Sequence, residues 1–509
     1  MKLFRVALVI AVALCLTASA YAETQSVKVS GDLTVRGIWR EAYELRGNPP
    51  MDEGVVLGRR DGRTTDTLVL YGGHQSWWMS NTEVEVDAEL TDNVSTVIRL
   101  VNERDWNVNV KNINTGQNVS MNGSMFAGAG YVANADDFQV NVDLAYVTLK
   151  NFVYCPLSVT IGRQDLWFGK GFIVGSNAVY NNYSVGLIQA PEYTARTAFD
   201  SIKAVLDYDP WTISAIYSKI SENATSDFDD IDLYGVNVGY RFECYKAEAE
   251  AYWFWKQDHS IPAWNSNKRD SNNDIHTIGM RGSMDPICDL TVAGEVAYQF
   301  GSYIGAVDQA VGMARSAWAA DASAEYRGLM DKICWKPKLG LEYIFYSGEE
   351  GEANDNNATG IYHGWDPMFR GKYDSAIREF MGTYYSSYDY PITATGTPSC
   401  DDASFTNQSQ IVMSGSLEPM DCVTLKGNIN LFWLNSPILA VNPGIPVDAV
   451  GNIWTKGYIG TEFDGQAIWD YTEDVSFGLL MAWFVPGANV YQNADKAAQD
   501  IVGTCKVSF

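Results

Sequence analysis

Residues 81–90 read Asn-Thr-Glu-Val-Glu-Val-Asp-Ala-Glu-Leu, an unbroken alternation of two kinds of side chain. Thr82, Val84, Val86, Ala88 and Leu90 form one row; Asn81, Glu83, Glu85, Asp87 and Glu89 form the other. Successive side chains of a β-strand point to opposite faces, so this stretch separates an apolar environment from a watery one. A helical period of 3.6 would mix the two rows, so a helix is excluded. Residues 245–255, Tyr-Lys-Ala-Glu-Ala-Glu-Ala-Tyr-Trp-Phe-Trp, repeat the pattern. Lys246, Glu248 and Glu250 oppose Ala247, Ala249 and Ala251, and Trp253 and Trp255 continue the apolar row. In residues 338–346, Leu339, Leu341, Tyr343 and Phe345 oppose Lys338, Gly340 and Glu342.

About eighteen such segments run from end to end of the chain, each near the roughly 9–11 residues that a tilted membrane strand needs. They start near Val27, Ser76, Val94, Phe138, Leu157, Ala198, Trp211, Ile231, Tyr245, Asp274, Leu290, Arg315, Lys336, Gln408, Val423, Trp454, Asp474 and Gln499. Short connections, such as Thr91–Asn93, Asp209–Pro210 and Tyr471–Glu473, alternate with long ones, such as Leu45–His74, Lys170–Thr197 and Glu350–Asn407. Short periplasmic turns and long extracellular loops wire an all-β transmembrane antiparallel β-barrel, and an even strand number returns both termini to the periplasm. A soluble β-helix or propeller would show a fixed repeat, and none is present.

The first residues and the composition agree. Lys2 and Arg5 precede an apolar run from Val6 to Ala18, and Ala20-Tyr21-Ala22 supplies a small-x-small site. This layout predicts a signal peptide over residues 1–22, cleaved after Ala22, leaving 23–509 as an outer-membrane barrel. Aromatic residues make up 13% and charged residues only 19%, as lipid-facing rows and aromatic girdles require. A net charge of −26 argues against nucleic acid as a partner. His74, His259, His276 and His363 fall in predicted loops or at strand tops, with no catalytic or zinc-binding spacing. The sequence therefore predicts no enzyme, cofactor or metal.

Three stretches resemble the alginate-export family of outer-membrane barrels. Residues 161–182 pair a Gly162-Arg163-Gln164 strand with a glycine-rich loop, and Arg196-Thr-Ala-Phe-Asp200 opens the next strand. Residues 338–350 run an acidic strand into a Ser-Gly-acidic loop, and residues 458–487 are similar to the family's closing hairpin. The resemblance implies an 18-stranded, porin-like barrel. For the family's named member it implies export of an acidic polysaccharide through an Arg-rich lumen.

The predicted lumen rows here lean acidic instead. The candidate selectivity residues are Glu83, Glu85, Asp87, Arg99, Arg163, Lys203, Arg241, Arg281, Arg315 and Glu342, and Lys246 also falls on a lumen row. Loop 350–407 is long enough to serve as a lid or constriction. Cys155, Cys244, Cys288, Cys334 and Cys422 fall in or beside short connections, which places all five at the periplasmic rim. Two functions fit these features. One is a monomeric channel for hydrophilic solutes or oligosaccharides, including polysaccharide export, that contacts outer-membrane lipid and is assembled through Phe509. The other is a scaffold barrel that docks a periplasmic or surface partner through its cysteine rim.

Overall fold

The computed structural model describes residues 25–42, 74–106, 140–177, 190–222, 230–259, 273–303, 313–329, 333–348, 361–380, 405–436, 457–487 and 496–509, together with three short hairpins at 55–57/68–70, 109–111/118–120 and 438–439/452–454. The predicted signal peptide lies outside them. Eighteen strands close into one antiparallel ring. They are β1 (Ser26–Glu41), β2 (His74–Thr91), β3 (Val94–Asp105), β4 (Asn141–Leu149), β5 (Leu157–Gln164) and β6 (Phe199–Tyr208). Next come β7 (Trp211–Ser221), β8 (Ile231–Arg241), β9 (Glu248–Asp258), β10 (Asn273–Ile287), β11 (Leu290–Tyr303) and β12 (Met313–Tyr326). The ring is completed by β13 (Lys338–Tyr346), β14 (Gln408–Met420), β15 (Val423–Leu434), β16 (Tyr458–Asp470), β17 (Val475–Pro486) and β18 (Ala498–Ser508). Each strand pairs with its chain neighbours, and β1 closes the ring against β18 from Asp32↔Ser508 to Glu41↔Gln499. Closure leaves no strand edge in the hydrocarbon, where unpaired backbone groups would be costly.

Register carries the alternation from strand to strand. Val86 lies opposite Val29 and Ile98, giving an outward row of half-exposed aliphatic side chains. Asp32, Glu83 and Glu85 share the inward row with Arg99, and Asp87 lies opposite Lys28. A bulge between Arg99 and Leu100 of β3 leaves Asp143 of β4 as an extra residue, so that Asp143 and Leu144 are both buried. Bulges re-aim side chains in this way, and here one brings a third carboxylate, beside Glu83 and Glu85, onto Arg99.

Outward aromatics gather into two belts. Near the long-loop end, Tyr217, Tyr234, Trp255, His276 and Phe300 stack in sequence across β7 to β11 with ring centroids 5.0–5.3 Å apart. At the short-turn end, Trp211 meets Tyr240 at 4.7 Å and Trp469 meets Phe477 at 5.6 Å. Amphipathic rings at both water interfaces hold the barrel at its depth in the bilayer.

The apolar core lies inside the lumen. It forms where the connections after β5 and β13 fold inward, and it contains Leu166, Phe168, Phe172, Ile173, Val174, Trp365, Met368 and Phe369 against Phe199, Tyr252, Phe254 and Tyr346 of the wall. A smaller cluster packs Ala190 and Tyr193 onto Ile38, Trp77, Met79 and Val502.

Candidate functional site

The two inward segments meet along their backbones. Phe369 N–H donates to Ile173 O at 2.9 Å, and Gly175 N–H donates to Phe369 O at 2.8 Å, making a parallel bridge. Glycines allow this approach. A Cβ on Gly371 would stand 2.6 Å from the Gly175 carbonyl carbon and 2.7 Å from the Trp167 ring. Gly169 and Gly171 hold φ of +55° and +75°, a region that other residues adopt at a cost. The glycine-rich loop singled out in the sequence is thus packed against the segment 361–380.

The strap formed by residues 361–380 is anchored to strand after strand. Ile361 and Tyr362 pair in parallel with Ala314 and Arg315 of β12. The Arg315 guanidinium donates to Gly364 O at 2.8 Å and lies over the rings of Tyr303 and Tyr362. Asp366 accepts from Lys256 Nζ of β9 at 3.1 Å, and its backbone exchanges two hydrogen bonds with the Gln299 amide of β11. Lys372 bonds Asp321 of β12 at 2.8 Å and also Glu342 of β13. Asn428 of β15 donates to Asp374 O at 2.7 Å. Glu462 of β16 accepts from the amides of Ile377 and Arg378 at 2.7 and 2.8 Å, which satisfies donors at the start of a helical turn.

Charges on the strap respond to their burial. Burial raises the Asp366 carboxyl, but Lys256, Arg315 and the Met368 amide hold it below the ordinary carboxylate range. Burial and the neighbouring Asp374 carboxylate push Glu379 up to about 7, against the pull of Arg370. Burial lowers Lys372, yet Asp374, Asp321 and Glu342 hold its ammonium well above the usual lysine range.

The predicted selectivity residues divide by place. Glu83, Glu85 and Arg99 come together, with Arg99 at 3.7 Å from Glu83, 3.8 Å from Glu85 and 2.5 Å from Asp143. Arg281 bridges Glu248 and Glu250 at 2.8 and 2.6 Å. Arg315 and Glu342 serve as strap anchors. Lys203 lies on the inward row of β6 with its ammonium 5.6 Å from the Phe168 ring centre. Arg241 ends β8 at the short-turn mouth and is exposed. Arg163 departs from the expectation. The pairs Ile161↔Val147, Gly162↔Tyr146 and Arg163↔Ala145 run on without a bulge, so Arg163 joins the outward row and meets Asp200 at 3.2 Å. Lys246 departs as well, because it sits in the turn before β9 and pairs with Asp285 at 3.7 Å. The strap anchors Lys256, Gln299, Asp366 and Lys372 escaped sequence reading. The one signal was an inward lysine, Lys256, in an otherwise aromatic strand end.

A family model described as alginate export matches residues 63–504. The chain belongs to the alginate-export family. Its fold is that of outer-membrane channels. Acinetobacter baumannii OccAB1 aligns over 97% of this chain and 98% of its own with a TM-score of 0.52 at 9% identity. OccAB4 from the same organism aligns over 96% and 100% with a TM-score of 0.50 at 8% identity. No curated protein matches the chain. This alginate-export family barrel is therefore an outer-membrane channel by family and fold.

Proposed function

We propose that the protein is a monomeric, narrowed channel for small hydrophilic solutes and not an open conduit for a polyanionic polymer. The observation that carries this reading is the strap at 361–380, which lies inside the lumen and is tied to β9, β11, β12, β13, β15 and β16. A narrow, water-excluding passage selects by the charge of its lining, because Coulomb terms grow as water is removed. The lining leans acidic. Arg99 answers three carboxylates on β2 and β4, and Arg281 answers two on β9. Asp87 and Glu89 continue the acidic row toward the short-turn mouth, where both are exposed.

Weak cation preference or near-neutral selectivity follows, with no tight binding of alginate. Reversal potential under a salt gradient tests it on the wild type and on a Glu83→Gln, Glu85→Gln, Asp87→Asn variant. The expected result is a small cation preference that moves toward anions in the variant. Strong anion selectivity in the wild type, unchanged by the substitutions, would restore the polyanion-export reading.

A further inference from the structure

Five periplasmic connections carry a cysteine that the channel does not use. Cys155, Cys244, Cys288, Cys334 and Cys422 each occupy a different short turn, and all five are exposed. Backbone bonds tie four of these turns into a continuous arc. Asp285 N–H donates to Tyr245 O, Arg327 N–H to Asp289 O, and Glu418 N–H to Trp335 O, at 2.8, 2.7 and 2.7 Å. The arc runs on to the next turn, where Asp470 N–H donates to Cys422 O at 2.9 Å. Neighbouring turns of a barrel stand two strand spacings apart, about 10 Å, whereas a disulfide needs Cα atoms within about 7 Å. All five thiols are free and solvent-exposed, one per turn, at the rim that faces an oxidising compartment.

We infer that this rim is a covalent docking surface for a basic periplasmic protein that carries an exposed disulfide. Charge selects the partner. Lys246, Arg327 and Lys336 are engaged by Asp285, Glu325 and Glu418 at 3.7, 3.2 and 2.9 Å. Among the described residues, Lys150 in the connections and Arg241 at the end of β8 then stand against Asp209, Glu243, Asp289, Asp421, Glu473 and Asp474. Apolar side chains between the thiols add contact area, with Tyr245, Ile287 and Met420 each about 60% exposed. The chemistry is thiol–disulfide exchange. A rim thiolate attacks one sulfur of the partner's disulfide, that S–S bond breaks, and a mixed disulfide forms. The partner's second sulfur leaves as a thiolate and takes up the proton that the rim thiol released, so no outside oxidant is consumed.

The test uses the full-length barrel in outer-membrane vesicles with the rim facing the medium. Two synthetic peptides of equal length, one lysine-rich and one glutamate-rich, each carry a cysteine linked to thionitrobenzoate as the leaving group. At low salt the lysine peptide is expected to react roughly tenfold faster or more, with the difference collapsing at high salt. Replacing the five rim cysteines with serine should abolish the reaction. Neutralising Asp209, Glu243, Asp289 and Asp421 should keep the reaction and erase the preference. Equal rates at low salt would overturn the inference. So would mass spectra of the membranes showing the rim cysteines joined to one another.

Discussion

Gly371 and Arg163 show what single residues decide here. Gly371 packs backbone to backbone on Gly175 under the Trp167 ring, so a methyl group has no room. Overpacking a tight contact costs about 1–3 kcal/mol. Gly371→Ala is therefore expected to loosen the strap without disturbing the barrel. Limited proteolysis of the folded protein should cut near residues 361–380 more readily in the variant, and unchanged protection would show that the contact is not needed. The alternation in residues 81–90 makes the lumen position of Glu83 and Glu85 legible in the sequence. It does the same for Arg99, whose partner row is fixed by pairing. For Arg163 the reading fails because the only local irregularity, Gly162 with φ of +126°, changes the backbone without inserting a residue. The bulge that does shift side chains lies at Asp143, where the sequence carries no glycine or proline to announce it.

Strand starts read from alternation lie close to those observed, the largest offset being Trp454 against Tyr458, because Trp454 belongs to a separate short hairpin. A strand writes its period into its own residues. The strap does not, since its strand anchors lie 30 to 110 residues away in the chain, from Glu342 and Lys372 to Lys256 and Asp366. Breaking such a buried pair by removing one partner typically costs about 3–5 kcal/mol, enough to unseat a local segment. Two strap carboxyls give its seating a pH dependence of opposite signs. Asp366 is depressed, so its contribution is present above the free-carboxyl value of about 4 and is lost as pH falls through its lower folded value. Glu379 is raised to about 7, so its contribution is present below a free value of about 4.3 and is lost as pH rises through about 7. The strap should sit most firmly near pH 4–5, with unitary conductance lowest there and rising on both sides. Glu379→Gln should remove the alkaline rise and leave the acid one. An alkaline rise that survives the substitution would contradict this assignment.

At the scale of the whole molecule, one ring of hydrogen bonds holds the barrel closed. Its seam is β1 against β18, extended where Gly31 and Phe509 exchange backbone bonds at 2.9 and 3.0 Å. The Phe509 ring rests where a Cβ on Gly31 would lie, 2.6 Å from its Cζ, so glycine and ring are fitted to each other. Phe509→Ala should slow closure and reduce the heat-resistant folded band after insertion, while a wild-type yield would count against a role in assembly. The composition, the alternation and the wiring of short and long connections made the barrel legible. They could not show that 361–380 turns inward, because a long loop reads the same whether it covers the mouth or enters it.

If that inward turn narrows the passage, single-channel recording in planar bilayers will show it. The comparison is between the wild type and a variant in which residues 361–380 are replaced by a short glycine-serine linker, both first shown to insert as folded barrels. The wild type should show small, weakly cation-preferring steps and the variant clearly larger, less selective ones. Equal conductance and equal selectivity in the two would show that the passage lies elsewhere and would contradict that narrowing.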